Sequence, residues 1–409
     1  MKTVALIGTF DTKGEEYSYI KKQIEKLGLN VLTIHVGVFE PAFKPDISNQ
    51  RVAEEAGTDI RSLAERKDRA HATEVLSRGM EKLVPKLYEQ GRFDGVLSFG
   101  GTGGTSLVAP GMRALPIGVP KIIVSTVASG DTSPYIGTSD LILIPSIVDV
   151  AGLNKISVQI FNNAVLAMAG MLKFETEPFT SDKPLIAASM FGVTTPAINF
   201  ARHYLEARGY EVLVFHATGV GGKTMESLIH SGFFQGVLDL TTTEWADELV
   251  GGVLNAGPQR LEAASKTRTP QVVSVGALDM VNFGPYETVP EKFKSRLLYK
   301  HNPTVTLMRT TEEENKRIGE KLAEKLNLAE AYTALIIPEK GVSGIDVEGE
   351  PFRGEKEDAI LFQTLTDQIT NPAVEMIYRP EAINDQTFAE FAAQKLITLI
   401  EEKEGKNNE

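Results

Sequence analysis

Cysteine is absent from the 409-residue chain, which excludes a disulfide, a thiolate nucleophile and a sulfur-ligated metal. No apolar run reaches membrane-spanning length; the nearest, Ile156 to Leu172, is broken by Gln159, Asn162 and Asn163. Lys and Arg number 42 against 54 Asp and Glu, and they are scattered, so the net charge of −12 argues against binding nucleic acid or an anionic membrane. The amino terminus enters a strand after one lysine and shows no signal-peptide pattern, so the chain reads as cytoplasmic. Two nucleotide fingerprints are missing as well. No stretch fits Gly-x-x-x-x-Gly-Lys-Ser/Thr, and Gly8 is followed by Thr9, Phe10 and Asp11, which removes a nicotinamide-dependent dehydrogenase of the first-strand type. Small molecules are left as the favoured partners.

What is present is centred on Phe93-Asp-Gly-Val-Leu-Ser-Phe-Gly-Gly-Thr-Gly-Gly-Thr105. Val96, Leu97 and Phe99 make a short buried strand, and apolar residues at helical spacing follow from Ser106 to Leu115. Between them Gly100, Gly101, Gly103 and Gly104 have no side chains to obstruct an anion, while Thr102 and Thr105 add hydroxyls. The plain alternative is a tight strand-to-helix turn that binds nothing. Four glycines in five positions exceed what a turn requires, and each costs conformational entropy on folding, so a phosphate cradle is the better reading.

Strands alternate with helices throughout, which implies parallel sheets with ligands at the strand carboxyl ends. The expected fold is α/β, with two Rossmann-like doubly wound parallel-sheet domains related by internal duplication. Gly28 and His35 correspond to Gly209 and His216 (209 − 28 and 216 − 35 are both 181), and Phe93-Asp-Gly-Val-Leu corresponds to Phe234-Gln-Gly-Val-Leu. A first domain over 1–178 and a second over 179–409 follow, joined by a Pro- and Thr-containing linker at Phe174 to Pro184. The first domain carries a polar, charge-rich insertion at about 39–79, which reads either as a solvated helical excursion packed on a partner subunit or as a lid bringing an arginine over the glycines. Where the first copy has its glycines, the second has Thr241-Thr-Thr-Glu-Trp245, so nucleotide is expected there only in the first copy.

Four loops of the first domain should converge: Asp11-Thr12-Lys13, the glycine stretch, Ser125 to Asp131 with Ser129 and Gly130, and the turn at Asp149. Lys13 can neutralise phosphate, and Asp131 or Asp149 can hold Mg2+ through water. Each carboxylate alone reads better as a cap or a solvated turn, and it is the convergence of the loops that favours a site. In the second domain His216-Ala-Thr-Gly-Val-Gly-Gly-Lys-Thr224 reads as a helix-entry anion loop, one glycine short of a P-loop. His216, Glu244 and Asp279 all end strands and are expected to share a catalytic cleft, with His301 and Arg309 as weaker candidates.

Taken together, Ile7-Gly-Thr-Phe-Asp-Thr-Lys13, Gly100-Gly-Thr-Gly-Gly-Thr-Ser106, Ile123-Val-Ser-Thr-Val-Ala-Ser-Gly130, Tyr135-Ile-Gly-Thr-Ser-Asp140, Met190-Phe-Gly-Val-Thr-Thr195, Phe215-His-Ala-Thr-Gly-Val-Gly-Gly222 and Gly276-Ala-Leu-Asp-Met-Val-Asn-Phe-Gly284 resemble one family. It is the amino-terminal ATP-binding domain of the plant tomato mosaic virus resistance protein with its bacterial relatives of unassigned reaction. The resemblance covers nearly the whole chain. It implies a homodimer in which the first half holds ATP and magnesium through Asp11, Thr12, Lys13, Arg69 and Gly101 to Gly104. The function expected is an ATP- and Mg2+-dependent enzyme acting on a small anionic metabolite; the alternative is a non-catalytic ATP-binding module that regulates a protein partner.

Overall fold

The computed structural model describes residues 1–174 and 181–407, and the chain divides into two compact units, Met1–Phe179 and Thr180–Glu409. The expected domain boundary and most of the expected linker lie at 175–180, outside the described residues.

The first unit opens with β1 (Thr3–Gly8), α1 (Gly14–Lys26) and β2 (Asn30–His35). The expected insertion then supplies α2 (Asn49–Glu55) and α3 (Ile60–Arg66), and its end merges into α4 (Arg69–Glu89), the crossover helix leading to β3 (Gly95–Gly100). Next come α5 (Thr102–Arg113), β4 (Lys121–Ser125), α6 (Ser133–Ile136), β5 (Ile142–Pro145) and α7 (Lys155–Lys173). All strands are parallel, in the order β2-β1-β3-β4-β5. Both faces are covered by helices, so the strands alternate between two cores instead of between core and water. Ala5, Ile7 and Val96 pack toward α2, α4 and α5, whereas Val4, Leu6 and Leu97 pack toward α1 and α7. Each such fully buried aliphatic side chain contributes roughly 1.5–3 kcal/mol.

Tyr17 of α1 performs a backbone task. The β1–β3 pairing ends at Ile7 and Ser98, and there the Tyr17 hydroxyl accepts the Phe99 N–H (2.9 Å) while facing the carbonyl oxygens of Phe99 (2.6 Å) and Ile7 (2.9 Å). Burial pushes its pKa up to about 12. Gly8 is required beside it, because a Cβ there would fall 1.9 Å from the tyrosine ring. The two strands thus part at their carboxyl ends, where the strand order reverses and ligands of open α/β sheets bind.

The second unit contains β6 (Leu185–Met190), α8 (Thr195–Glu206), β7 (Glu211–His216), α9 (Val220–His230), β8 (Gly236–Thr241), α10 (Glu244–Val250), α11 (Ala263–Thr267) and β9 (Gln271–Gly276). It continues with β10 (Met280–Phe283), β11 (Leu298–Asn302), β12 (Val305–Arg309), α12 (Glu312–Leu326), β13 (Thr333–Pro338), α13 (Glu355–Gln368), β14 (Val374–Arg379) and α14 (Gln386–Asn407). Its main sheet is parallel, in the order β14-β13-β9-β8-β6-β7, and a small antiparallel sheet β10-β12-β11 stands beside it. Among the described residues no helix is long and apolar enough to cross a membrane.

Candidate functional site

The glycine stretch is a helix start, not the loop that the sequence suggests. Gly101 is the N-cap of α5, and Thr102, Gly103 and Gly104 are its first three residues. Helix geometry is tolerated there because first-turn N–H groups have no intrahelical acceptor, and no side chain caps them and no acidic residue lies in the first turn. The positive end of α5 therefore opens into a cavity of about 780 Å3.

One wall is made by Thr9, Asp11, Thr12 and Lys13 after β1, another by Val36 to Phe39 after β2, and a third by Leu63, Ala64 and Lys67 to Arg69 around the end of α3. Ala72, Thr73 and Leu76 of α4, Leu107 of α5, Thr126 and Asp149 complete it. Size and make-up suit a small ligand, with an apolar slot on the α3–α4 side and cations at the α5 end. The inserted segment places its arginine over the glycines: Nη2 of Arg69 lies 2.8 Å from where a Cβ on Gly103 would be. Arg69 is also the first residue of α4, so a guanidinium stands at the positive ends of two helices. Among the described residues it has no carboxylate partner, an arrangement that is electrostatically uphill until an anion lies between them.

The other expected ligands sort themselves by what already engages them. Lys13 lines the cavity with its ammonium donating to the Val150 carbonyl. The Asp11 carboxylate accepts the N–H groups of Thr12 (2.9 Å) and Phe39 (3.1 Å), and so staples the loop after β2 against the loop after β1. Buried His35 completes that staple, since its Nδ1 accepts the Phe10 N–H (3.1 Å) and its Nε2 faces the Phe39 carbonyl (3.0 Å). Asp149 is on the cavity wall, two residues after Ile147, whose φ of 66° with a Val148 N–H to Ser146 carbonyl bond of 2.7 Å makes a strained tight turn.

Five expected nucleotide ligands and one expected metal ligand do not line the cavity. Gly100 is the buried last residue of β3. The hydroxyls of Thr105 and Ser125 are buried against each other at 2.6 Å. Ser129 and Gly130 lie in and after a short 3-10 turn, Thr126–Ser129, which leaves Thr126 alone of that loop on the wall. Asp131 turns away to accept from the hydroxyl (2.6 Å) and N–H (3.0 Å) of Ser133, and those bonds lower its pKa. Of the two carboxylates expected to face a metal, Asp149 lines the cavity and Asp131 does not.

In the second unit the expected cleft of His216, Glu244 and Asp279 is replaced by three separate settings. His216 is exposed at the end of edge strand β7, edge-on to Phe191 at 5.6 Å. His301 approaches the same place, with Nε2 4.0 Å from where a Cβ on Gly192 would be. Glu244 is buried with Arg260, whose Nε donates to it at 2.7 Å while its terminal nitrogens bind Asp239 at 2.5 and 2.7 Å. Asp279 is buried elsewhere, accepting from Ser343 (2.8 Å), and desolvation raises its pKa to about 6 although Arg309 opposes the shift. Arg309 also binds Asp358 at 2.9 Å, and Arg353 binds the other oxygen of Asp358 at 2.8 Å. Buried carboxylates that share buried arginines hold loops in place; neither Glu244 nor Asp279 is presented to solvent as a base.

Residues 2–177 match the family described as the N-terminal domain of an uncharacterised protein family (UPF0261), and residues 183–400 match its C-terminal domain. The chain belongs to this family. A UPF0261 protein of Clostridium tetani is 54% identical over 98% of this chain and 99% of its own length. The ToMV resistance protein Tm-1(GCR237) of tomato is 41% identical over 94% of this chain, which spans 54% of that protein. A solved glycosyltransferase, VinC in complex with DTDP, is 10% identical with a TM-score of 0.19, a likeness too small to bear on fold or site.

Several wall residues gave no signal in the sequence. Val36, Val38, Leu63, Leu76 and Leu107 look like core positions, and only the burial of their neighbours reveals a slot. Phe39 was readable only as the edge of an insertion; the residue is 65% exposed at the cavity while its backbone is pinned on both sides. Thr9 and Thr126 sit beside residues that were expected.

Proposed function

We propose that the first unit binds ATP with Mg2+, the triphosphate lying between the α5 N-terminus and Arg69. The observation that carries this reading is the unpartnered guanidinium of Arg69 over Gly103, at an uncapped helix start with no acidic residue in its first turn. Thr12, Lys13 and Thr102 would add donors, and Asp149 would face Mg2+, which takes one or two carboxylates and fills its remaining positions with phosphate oxygens and water. The metal would supply charge neutralisation on the phosphates. The base and ribose would occupy the slot toward α3 and α4.

The reaction this supports is ATP-dependent transfer to a small anionic metabolite held beside the phosphates, in a cavity that already gathers Lys13, Lys67 and Arg69. One observation favours the second reading, a non-catalytic ATP-binding module regulating a protein partner: Glu244 and Asp279, the second unit's acid–base candidates, are locked in buried networks. The two units are read as Rossmann-like copies of one α/β unit. Support comes from strand order, which begins 2-1-3-4-5 in both sheets, and from strand spacing, with β2 and β7 starting 181 residues apart (211 − 30) and β3 and β8 starting 141 apart (236 − 95).

The test is calorimetric titration of ATP and Mg2+ into wild type and Gly103→Val, followed by assay of phosphate release with anionic metabolites. Binding lost in the variant supports the site. Turnover then selects the enzyme, and binding without turnover selects the module. An absence of ATP binding to wild type sinks the nucleotide reading.

A further inference from the structure

The second unit contains a glycine-rich helix start of its own, and it is filled. Helix α9 follows Gly219, which as N-cap offers no side chain of its own, and like α5 it has no acidic residue in its first turn. Glu244 reaches it from the first position of α10. Its Oε1 accepts the N–H groups of Gly219 (2.7 Å) and Gly222 (3.1 Å), and its Oε2 accepts Nε of Arg260 (2.7 Å). Carboxylate and guanidinium are each 1% exposed. Gly222 has room for nothing else, because a Cβ there would fall 2.2 Å from Oε2 of Glu244.

The position of this carboxylate matters as much as its bonds. In the first unit the helices flanking the third strand are α4 and α5, and their starts face each other across Arg69 and Gly103. In the second unit the helices flanking the third strand are α9 and α10, and between their starts stands the carboxylate of Glu244 with a buried arginine on it. We propose that Glu244 is a built-in anion occupying an oxyanion site homologous in position to the phosphate site of the first unit. The glycine segment His216 to Lys223 is therefore closed to phosphate by the chain itself, and the protein takes one nucleotide, not two. The count rests on the nucleotide reading of the first unit; the occupied site in the second does not.

Removing the carboxylate should uncover a site for small oxyanions, with acetate and inorganic phosphate as probes. Trp245, the single tryptophan of the chain, adjoins Glu244 and is buried, so its fluorescence reports this site and not the first unit. In full-length Glu244→Ala, titration with acetate or phosphate at constant ionic strength should give a saturable change in Trp245 emission that wild type lacks. A variant as unresponsive as wild type would overturn the proposal. Because Glu244→Ala takes from Arg260 one of its three carboxylate partners, leaving Asp239 and Glu226, and folding could suffer, Gly222→Ala supplies a second reading. Its methyl must expel the carboxylate, so melting should fall by several degrees in the wild-type background. A Gly222→Ala protein as stable as wild type would equally refute the assignment.

Discussion

Gly104 is the residue whose replacement tests the proposal of a nucleotide site most sharply. It is the third residue of α5, its φ is not positive, and a Cβ added to it would meet no atom within 4 Å. Nothing inside the protein requires a glycine there, yet glycine costs a helix up to about 1 kcal/mol relative to alanine. A ligand approaching the backbone closely is a sufficient reason. Gly104→Ala should therefore stabilise the first unit by up to about 1 kcal/mol, raising its melting point by roughly 2–4 °C for a unit of this size. The same methyl would hold an oxyanion off the first-turn N–H groups. Losing one hydrogen bond to a charged group is worth about 1.5–3 kcal/mol, or roughly a 10- to 150-fold weaker Kd for ATP. Gly170 in α7 is the control, being equally unobstructed and remote from the cavity wall, so Gly170→Ala should gain stability with ATP affinity unchanged. The measurements are thermal melts and calorimetry on the same preparations. If Gly104→Ala melts higher and binds ATP as wild type does, the cradle reading is wrong.

Arg69→Ala should weaken ATP binding by roughly 10-fold or more and make it less sensitive to salt, while Arg69→Lys should recover only part, since a point charge replaces a bidentate fork; calorimetry across a salt series measures both. The stability of the second unit should fall as pH rises. Burial, with repulsion from Asp279 on Asp346 and from Asp346 on Asp358, raises the pKa values of Asp346 to about 6 and Asp358 to about 7, above their unfolded values, so the folded form is favoured below about pH 4 and loses that contribution as pH climbs through their folded values. Asp358→Asn should flatten the decline in melting temperature between about pH 4 and about pH 7, and an unchanged slope would assign the titration elsewhere.

The strands were legible because both faces of each sheet are covered. Val4 to Gly8 reads as a continuous apolar run and Val96 to Phe99 as one broken only by Ser98, and the structure buries every one of those residues. The start of α12 is legible in the sequence, since Thr311 and Glu314 form a capping box there. The start of α5 was not, since intrinsic propensity assigns Gly103 and Gly104 to a loop, whereas a first turn needs no helix-forming side chains to complete its hydrogen bonds. Glu244 was misjudged for another reason. Its partners Gly219, Gly222 and Arg260 lie at separations of 25, 22 and 16 residues, and an acid at a strand end looks the same in sequence whether it faces a substrate or a helix start. The small antiparallel sheet was hidden by β11, whose residues after Leu298 are exposed and polar or aromatic without alternation.

The hydroxyl of Tyr17 couples the site to the helix that bears it. A rung of the β1–β3 ladder has been handed to a side chain of α1, so the amide of Phe99 can trade its proton with solvent only when α1 lifts from the sheet. The crevice floor thus breathes with the unfolding of a whole helix, not with the flicker of a loop. On the side walled by α3 and the start of α4, Lys67, at a φ of 52°, is the joint between the two helices.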